Sequence, residues 1–169
     1  TVVNAATPHL FKKYRTAKDY ADANLSDIEN AVKSVTFHRN KAKNIKEACG
    51  IIAEKHGGKV PQTMEELTEL PGIGRKTANA ILTNAFDIVQ GVVVDTHVIR
   101  LAYRLGWTKE KGPDKIEHDL MKTIPRSYWK KLQWLLKDHG RAVCKAPVPL
   151  CRRCGLSKIC PKQGVGKRL

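Results

Sequence analysis

The chain has 169 residues, a formal net charge of +15, a pI near 9.8 and 41% hydrophobic residues. That hydrophobic content is typical of a folded globular protein and excludes a disordered one. No apolar run approaches the ~18 residues of a membrane span, and no secretory signal is visible. The excess of Lys and Arg favours a polyanionic partner such as nucleic acid. Because residue 1 is Thr, we expect the true N-terminus to be absent.

Helical patterns follow one another through the first third of the chain. Residues 4–14 form part of a helix that Pro8 begins or interrupts. Residues 26–29 (SDIE) have the pattern of a capping box, in which Ser26 and Glu29 satisfy each other's backbone donors. A further helix stops at 57–58 (GG). Its apolar face includes the free thiol of Cys49, which we interpret as a core residue, and comprises Ile45, Ala48, Cys49 and Ile52.

A second helical series begins at residues 63–66 (TMEE), another capping-box pattern, which opens a short helix to Leu70. A turn at residues 71–74 leads to a helix whose apolar face comprises Ala78, Ile81, Leu82, Ala85 and Phe86. Residues 92–94 (VVV) form a buried link rather than a strand. Asp95 then caps a helix with an apolar stripe at Val98, Leu101, Ala102 and Leu105.

Two more helices are predicted over residues 115–123 and 127–138, the second burying Trp129, Leu132 and Leu136. Alternating strand patterns are almost absent, so the sequence predicts an all-α protein of two helical modules. We place a boundary near Gly91. A helical module then spans residues 1–91 and a module with a cysteine cluster spans residues 92–169.

Four cysteines near the C-terminus, Cys144, Cys151, Cys154 and Cys160, have the spacing C-x6-C-x2-C-x5-C. A structural zinc site usually combines two closely spaced ligand pairs, but only Cys151 and Cys154 form such a pair. Four thiolates on a wide loop favour a [4Fe-4S] cluster, whose corners are further apart than the ligands of one zinc ion. Zinc stays an alternative, as do disulfides, which would need an oxidising compartment.

The segment from Leu70 to Gly74 joins two helices through a proline and two glycines. Gly72 and Gly74 lack a Cβ and can adopt positive φ, so a phosphate can approach their N–H groups. The positive end of the next helix dipole faces the same anion. The pattern therefore indicates a helix-hairpin-helix that grips a DNA backbone without reading its sequence, although an ordinary helical corner has the same pattern.

Lys76 follows this hairpin in the first helical turn, where the helix dipole disfavours a cation. A neutral lysine amine can attack a sugar carbon and form a Schiff base, so Lys76 is the candidate nucleophile. Asp95 begins a later helix and is the candidate carboxylate that stabilises positive charge on the sugar. A surface charge and a simple N-cap are the ordinary interpretations of these two residues.

Residues 70–78 (LPGIGRKTA), residues 94–98 (VDTHV) and the cysteine spacing together resemble the endonuclease III family. The resemblance implies a bifunctional DNA glycosylase and AP lyase that removes oxidised pyrimidines such as thymine glycol and nicks the strand by β-elimination. It implies Lys76 and Asp95 as catalytic residues on either side of a DNA cleft, and a [4Fe-4S] cluster. Because the lysine chemistry needs no redox step or metal Lewis acid, we interpret the cluster as structural. The implied cluster ligands are Cys144, Cys151, Cys154 and Cys160.

The sequence also predicts residues that contact damaged double-stranded DNA, although for Lys145, Arg152 and Arg153 solvated surface charge is the alternative. Phe37 lies where the family places a wedge loop, although a core position fits its sequence equally well. We expect the family's initial helices and gap-filling glutamine to precede the first residue of this sequence, since no counterpart is found in it. The predicted DNA-binding residues are Pro71, Gly72, Ile73, Gly74, Arg75, Thr77, Phe37, His38, Arg39, His97, Lys145, Arg152 and Arg153.

Three other functions remain open from the sequence, one of which is a zinc-stabilised RNA- or DNA-binding protein. A monofunctional mismatch or adenine glycosylase shares the hairpin and cluster but has another residue at the position of Lys76, and a non-catalytic hairpin module would bind DNA only. We expect a monomer without a membrane association. Its location is the cytoplasmic nucleoid if the source is prokaryotic, with the nucleus or mitochondrion as alternatives.

Overall fold

A computed structural model describes residues 2–167 and 169 as helices joined by turns and loops. The predicted all-α class is confirmed, since the described residues form no β-strand. None of the helices among them has both the length and the apolar character needed to cross a bilayer. In chain order the helices are α1 Val2–Lys13, α2 Ala17–Asp22, α3 Leu25–Ala31, α4 His38–Lys55, α5 Met64–Thr68, α6 Arg75–Ala85, α7 Thr96–Arg104, α8 Pro113–Thr123 and α9 Arg126–Ala142, followed by a 3₁₀ helix, Cys151–Arg153.

The chain divides into two compact units, Thr1–Ala78 and Asn79–Leu169. The division falls inside α6, so this helix contributes its first turn to one unit and its remainder to the other. The units are defined by packing alone, and the domain boundary that the sequence suggests near Gly91 stays a prediction.

The first unit is built around α4, against which α2 and α3 pack. Its core is a cluster of buried side chains from α1, α3 and α4 and the turns that follow α1 and α3. The aromatic rings of Tyr14 and Tyr20 lie 4.9 Å apart, and Tyr20 packs against the edge of this cluster. The cluster members are Leu10, Tyr14, Ile28, Val32 and Ala42.

The second unit is built around α7, which packs against α8 and α9. Of the apolar stripe predicted for α7, Val98, Leu101 and Ala102 are buried as expected, whereas Leu105 is half-buried at the C-cap of the helix. The link at residues 92–94 is buried without forming a strand. From α9, Leu132 and Leu136 are buried as predicted, whereas Trp129 is only half-buried. The buried cluster comprises Val92, Val94, Val98, Leu101, Ala102, Ile116, Leu120, Leu132 and Leu136.

The predicted helix starts are partly confirmed. The hydroxyl of Thr63 accepts from the backbone N of Glu66 at 3.3 Å, as a cap of α5 should. The capping box predicted at residues 26–29 is wrong, because α3 begins at Leu25 after Asn24 and Ser26 lies inside the helix. A capping box that the sequence analysis missed begins α2, where Thr16 and Asp19 satisfy each other's backbone donors.

Other local predictions hold with small shifts. Pro8 lies inside α1, and α4 ends before Gly57, whose φ is +57°. Cys49 is half-buried on α4, and burial raises the pKa of its thiol. That environment fits its interpretation as a packing residue rather than a reactive one.

Candidate active site and metal centre

The hairpin between α5 and α6 is a tight turn closed by its own backbone. The amide of Ile73 donates to the carbonyl of Leu70 at 3.0 Å, and the carbonyl of Gly74 accepts from Thr77 and Ala78 at 2.9 and 3.0 Å. These bonds begin α6 directly after Gly74. The first turn of α6 therefore follows the glycines without an intervening loop.

The two hairpin glycines differ in their surroundings. Gly72 has φ +78°, and a Cβ there would lie 2.4 Å from Nδ2 of Asn44 on α4. Gly74 does not have a positive φ, contrary to the expectation that both glycines could use one, and its Cβ would meet nothing within 4 Å. Gly72 therefore lets the hairpin pack against α4, whereas Gly74 leaves open space beside the start of α6.

The side chains predicted to act at the hairpin occupy its exposed side. Arg75 and Lys76 are exposed residues of the first turn of α6. Pro71, Ile73 and Thr77 are half-buried. The Lys76 side chain is thus accessible to a ligand that approaches the open space at Gly74.

Asp95 is the N-cap of α7, as predicted. Its Oδ1 accepts from the backbone N of His97 at 2.8 Å and from that of Val98 at 2.9 Å. Its Oδ2 has Nε2 of Gln133, on α9, at 3.5 Å. One carboxylate oxygen is therefore fixed by the helix, while the second makes a long contact with Gln133, a side chain that the sequence analysis did not identify.

Phe37 precedes α4 as its N-cap residue, with φ 58° in the left-handed region. Its side chain is 77% exposed, so the core interpretation is wrong. Next to it His38 is half-buried and Arg39 is exposed. Asn44, two turns further along α4, lies against Gly72, so α4 and the hairpin are in contact within the first unit.

The four C-terminal cysteines line one cavity in the second unit. Their thiols are free and half-buried, and the remaining walls are mainly aliphatic. Within residues 2–167 and 169, no three His, Cys, Asp or Glu side chains are arranged to hold a single metal ion. A cavity lined by four cysteine sulfurs, which are soft ligands, and by apolar walls is suited to an iron–sulfur cluster.

Polar groups that the sequence analysis missed surround these thiols. Nη1 of Arg104 donates to Sγ of Cys144 at 3.4 Å, and Nε2 of His139 lies 3.6 Å from Sγ of Cys154. Nζ of Lys162 donates to the carbonyls of Ser157 and Cys160 at 2.6 and 3.3 Å. The cationic side chains match the negative charge that deprotonated thiols carry.

Two arginines of α7 hold the beginning of the cysteine segment. Arg100 donates to the carbonyls of Gly140 and Cys144, and Arg104 to those of Cys144, Lys145 and Pro147. Burial, followed by the charge of Arg104, lowers the pKa of Arg100. The helix that Asp95 begins is thus bonded at its other end to the segment that carries the thiols.

The remaining predicted DNA contacts also lie in the second unit. Lys145, Arg152 and Arg153 are exposed around the cysteine segment, the two arginines on the 3₁₀ helix. His97 is half-buried, with its Nδ1 3.1 Å from Nη2 of Arg100.

Comparison with known proteins defines the class to which this helical chain belongs. Residues 1–126 match the model of the HhH-GPD superfamily of base excision DNA repair proteins. The chain is 52% identical to Endonuclease III of Synechocystis sp. over 94% of its own length and 73% of that protein. It is 40% identical to Endonuclease III of Bacillus subtilis, over 99% of its length and 79% of the relative.

Solved structures agree with these relatives. A trapped endonuclease III–DNA covalent intermediate aligns with a TM-score of 0.90 and 40% identity over 95% of this chain and 76% of the other. A non-covalent endonuclease III–DNA complex aligns with a TM-score of 0.89, at the same identity. The chain belongs to the endonuclease III family, within the HhH-GPD superfamily. It is a base excision DNA glycosylase with AP lyase activity. The family is generally iron–sulfur containing.

Proposed function

We propose that this glycosylase and AP lyase excises oxidised pyrimidines of the thymine glycol type from double-stranded DNA, with Lys76 as its nucleophile. The observation that carries the proposal is the exposed amine of Lys76 in the first turn of α6, beside the open space at Gly74. A relative of this chain has been captured as a covalent intermediate with DNA, which supports a covalent mechanism here.

The chemistry requires one amine and a leaving base. The damaged base leaves the stack, at a lower energetic cost because damage weakens its pairing and stacking. Nζ of Lys76 attacks C1′ of the deoxyribose, the glycosidic bond breaks, and the base departs with its bonding electrons and takes up a proton. The amine then loses its protons, one of which passes to the ring oxygen as the bond from C1′ to O4′ breaks, and an imine forms between Nζ and C1′.

The imine then makes strand cleavage possible. It acidifies a proton on C2′, whose removal sends electrons to C3′ and expels the 3′ phosphate by β-elimination. Hydrolysis of the resulting unsaturated imine releases the sugar aldehyde and restores the amine of Lys76. No oxidant or reductant is consumed in this sequence.

Asp95 supplies the charge that the first step requires. Its Oδ1 accepts two backbone amides, so the carboxylate is held in one orientation. We propose that its Oδ2 stabilises positive charge on the sugar and accepts a proton from the attacking amine. The cap and the catalytic role use different oxygens and are compatible.

The DNA backbone is held by the hairpin and by basic side chains of both units. The amides at Gly72 and Gly74 and the positive end of the α6 dipole are suited to a phosphate. Phe37 is suited to stacking between bases of the opposite strand, since its ring is exposed. The proposed backbone contacts further include Pro71, Ile73, Arg75, Thr77, His38, Arg39, His97, Lys145, Arg152 and Arg153.

We further propose that Cys144, Cys151, Cys154 and Cys160 hold a [4Fe-4S] cluster, supported by the common cavity that they line. When bound, the cluster supplies structure rather than chemistry: it fixes the loop that presents Lys145, Arg152 and Arg153. We also propose that the protein acts as a monomer in the cytoplasm, at the nucleoid.

Borohydride trapping tests the nucleophile. On duplex DNA with thymine glycol, the wild-type protein should become covalently joined to the DNA, whereas Lys76→Gln should bind the DNA without trapping because it lacks the amine. Lys115→Gln removes another exposed lysine and serves as the control. Undiminished trapping of Lys76→Gln would remove Lys76 from the mechanism.

Cysteine substitution tests the cluster. Purified wild-type protein should be brown and contain iron and sulfide, and Cys151→Ser should lose most of both because one ligand is missing. Cys49→Ser, which changes the thiol outside the cavity, should keep the colour. Zinc in a colourless wild-type protein would contradict the assignment.

A further inference from the structure

A buried carboxylate lies outside the proposed catalytic set. Glu117 of α8 is 5% exposed, and its Oε1 accepts from Nδ2 of Asn79, which is 0% exposed on α6, at 3.1 Å. Oδ1 of Asn79 in turn accepts from the hydroxyl of Thr83 at 3.4 Å. A carboxylate away from water is tolerated only where it is hydrogen-bonded, so this contact constrains both helices.

The same oxygen lies against the backbone of Gly91. A Cβ on Gly91 would lie 1.9 Å from Oε1 of Glu117 and 3.1 Å from Nδ2 of Asn79. Gly91 does not have a positive φ, so space rather than backbone conformation requires glycine there. A side chain at this position would displace the carboxylate from Asn79.

Glu117 therefore contacts two segments that lead to the proposed catalytic residues. Asn79 lies three residues after Lys76 on the same helix, so holding Asn79 fixes the rotation of α6 about its axis. Gly91 begins the buried link that ends at Asp95. We infer that Glu117 is a positioning residue, which orients the helix of Lys76 and the segment of Asp95. This inference rests on the proposed function.

A purely structural role predicts a different result from a positioning role. If Glu117 only stabilises the fold, its disruption lowers the melting temperature and leaves excision unchanged wherever the variant is folded. If it positions the catalytic segments, the excision step slows in folded protein while DNA affinity is retained, because a displacement of about 1 Å can slow a reaction about 100-fold.

The test reverses the hydrogen-bonded pair. Asn79→Asp places two carboxylates together. At a temperature well below the melting temperature of this variant, it should slow single-turnover excision of thymine glycol about 100-fold. In Asn79→Asp/Glu117→Gln the donor and acceptor are exchanged, and the rate should return to within about tenfold of the wild type. Affinity for DNA with a tetrahydrofuran abasic analogue should change little in either variant.

Wild-type excision by folded Asn79→Asp would overturn the inference, as would a double variant no faster than the single one. If Asn79→Asp does not fold, Gly91→Ala provides the same test, with Gly112→Ala as its control because a Cβ there meets nothing within 4 Å. Unchanged excision by folded Gly91→Ala would also overturn it. Failure of wild-type trapping through Lys76 would instead refute the proposed function itself.

Discussion

The starts of α6 and α7 differ in the groups that lie beside their exposed backbone amides and positive dipole ends. At α7 the side chain of Asp95 accepts the exposed backbone amides of His97 and Val98. At α6 the preceding residue is Gly74, which has no side chain to act as a cap, and the first turn carries Arg75 and Lys76 instead of an acidic residue. One start supplies its own anion, and the first turn of the other has two basic residues and no acidic one.

Because of this difference, the two helix starts suit two different functions. A carboxylate fixed by backbone amides is ordered before any ligand arrives, which suits a group that must stabilise charge in a transition state. Amides next to cations and open space suit a phosphate supplied by DNA. In an isolated helix, the positive end of the dipole would destabilise a lysine in the first turn. In α6 that positive end lies where the proposed reaction needs an amine and a bound phosphodiester.

The largest expected effect is on the excision rate, when the carboxylate charge of Asp95 at the start of α7 is removed. Asp95→Asn should keep the fold, since Asn is also a good N-cap, while excision slows by about 10²–10⁴-fold. Asp114→Asn, in the first turn of α8, removes a carboxylate near another helix start and should leave the rate unchanged. Single-turnover kinetics on thymine glycol DNA measure both. Wild-type turnover by Asp95→Asn would reduce this residue to a cap.

Altering the α6 start should have a smaller effect, and on stability first. Gly72→Ala introduces a Cβ at a positive φ, 2.4 Å from Nδ2 of Asn44, and should lower the free energy of unfolding by about 1–3 kcal/mol. Gly74→Ala has open space and should stay within about 0.5 kcal/mol of the wild type. Urea denaturation compares the two. Equal losses would mean that the glycines do not have different roles.

The smallest effect on stability concerns a third helix start, that of α4. Phe37→Ala should change the free energy of unfolding by less than about 0.5 kcal/mol because the ring is exposed. It should weaken binding to lesion DNA by about 1–3 kcal/mol if the ring stacks on a base. Phe11→Ala, in another exposed aromatic residue, is the control for fluorescence-anisotropy titrations. The same weakening in both variants would contradict a wedge at Phe37.

The sequence predicts the parts of the site that depend on local chemistry. The cap at Asp95, the hairpin before Lys76 and the helix that ends shortly before Gly57 are each specified by neighbouring residues, and the structure agrees with all three. The capping box predicted at Ser26 was wrong because several residues near a helix start can act as caps, and packing decides where the helix begins.

Contacts between distant segments could not be predicted in this way. The pair formed by Asn79 and Glu117 joins residues 38 positions apart, and Arg104 reaches Cys144 across 40 positions. The sequence pattern of α8 does not indicate which distant residue Glu117 contacts. The exposure of Phe37 is also a tertiary property, since the same sequence would suit a core position.

The most direct test of the nucleophile is to identify the trapped residue. Wild-type protein reduced with borohydride on thymine glycol DNA is digested with protease and nuclease, and the modified peptide is sequenced by mass spectrometry. We predict a deoxyribose remnant on Nζ of Lys76. An adduct on any other amine, with Lys76 unmodified, would contradict the account.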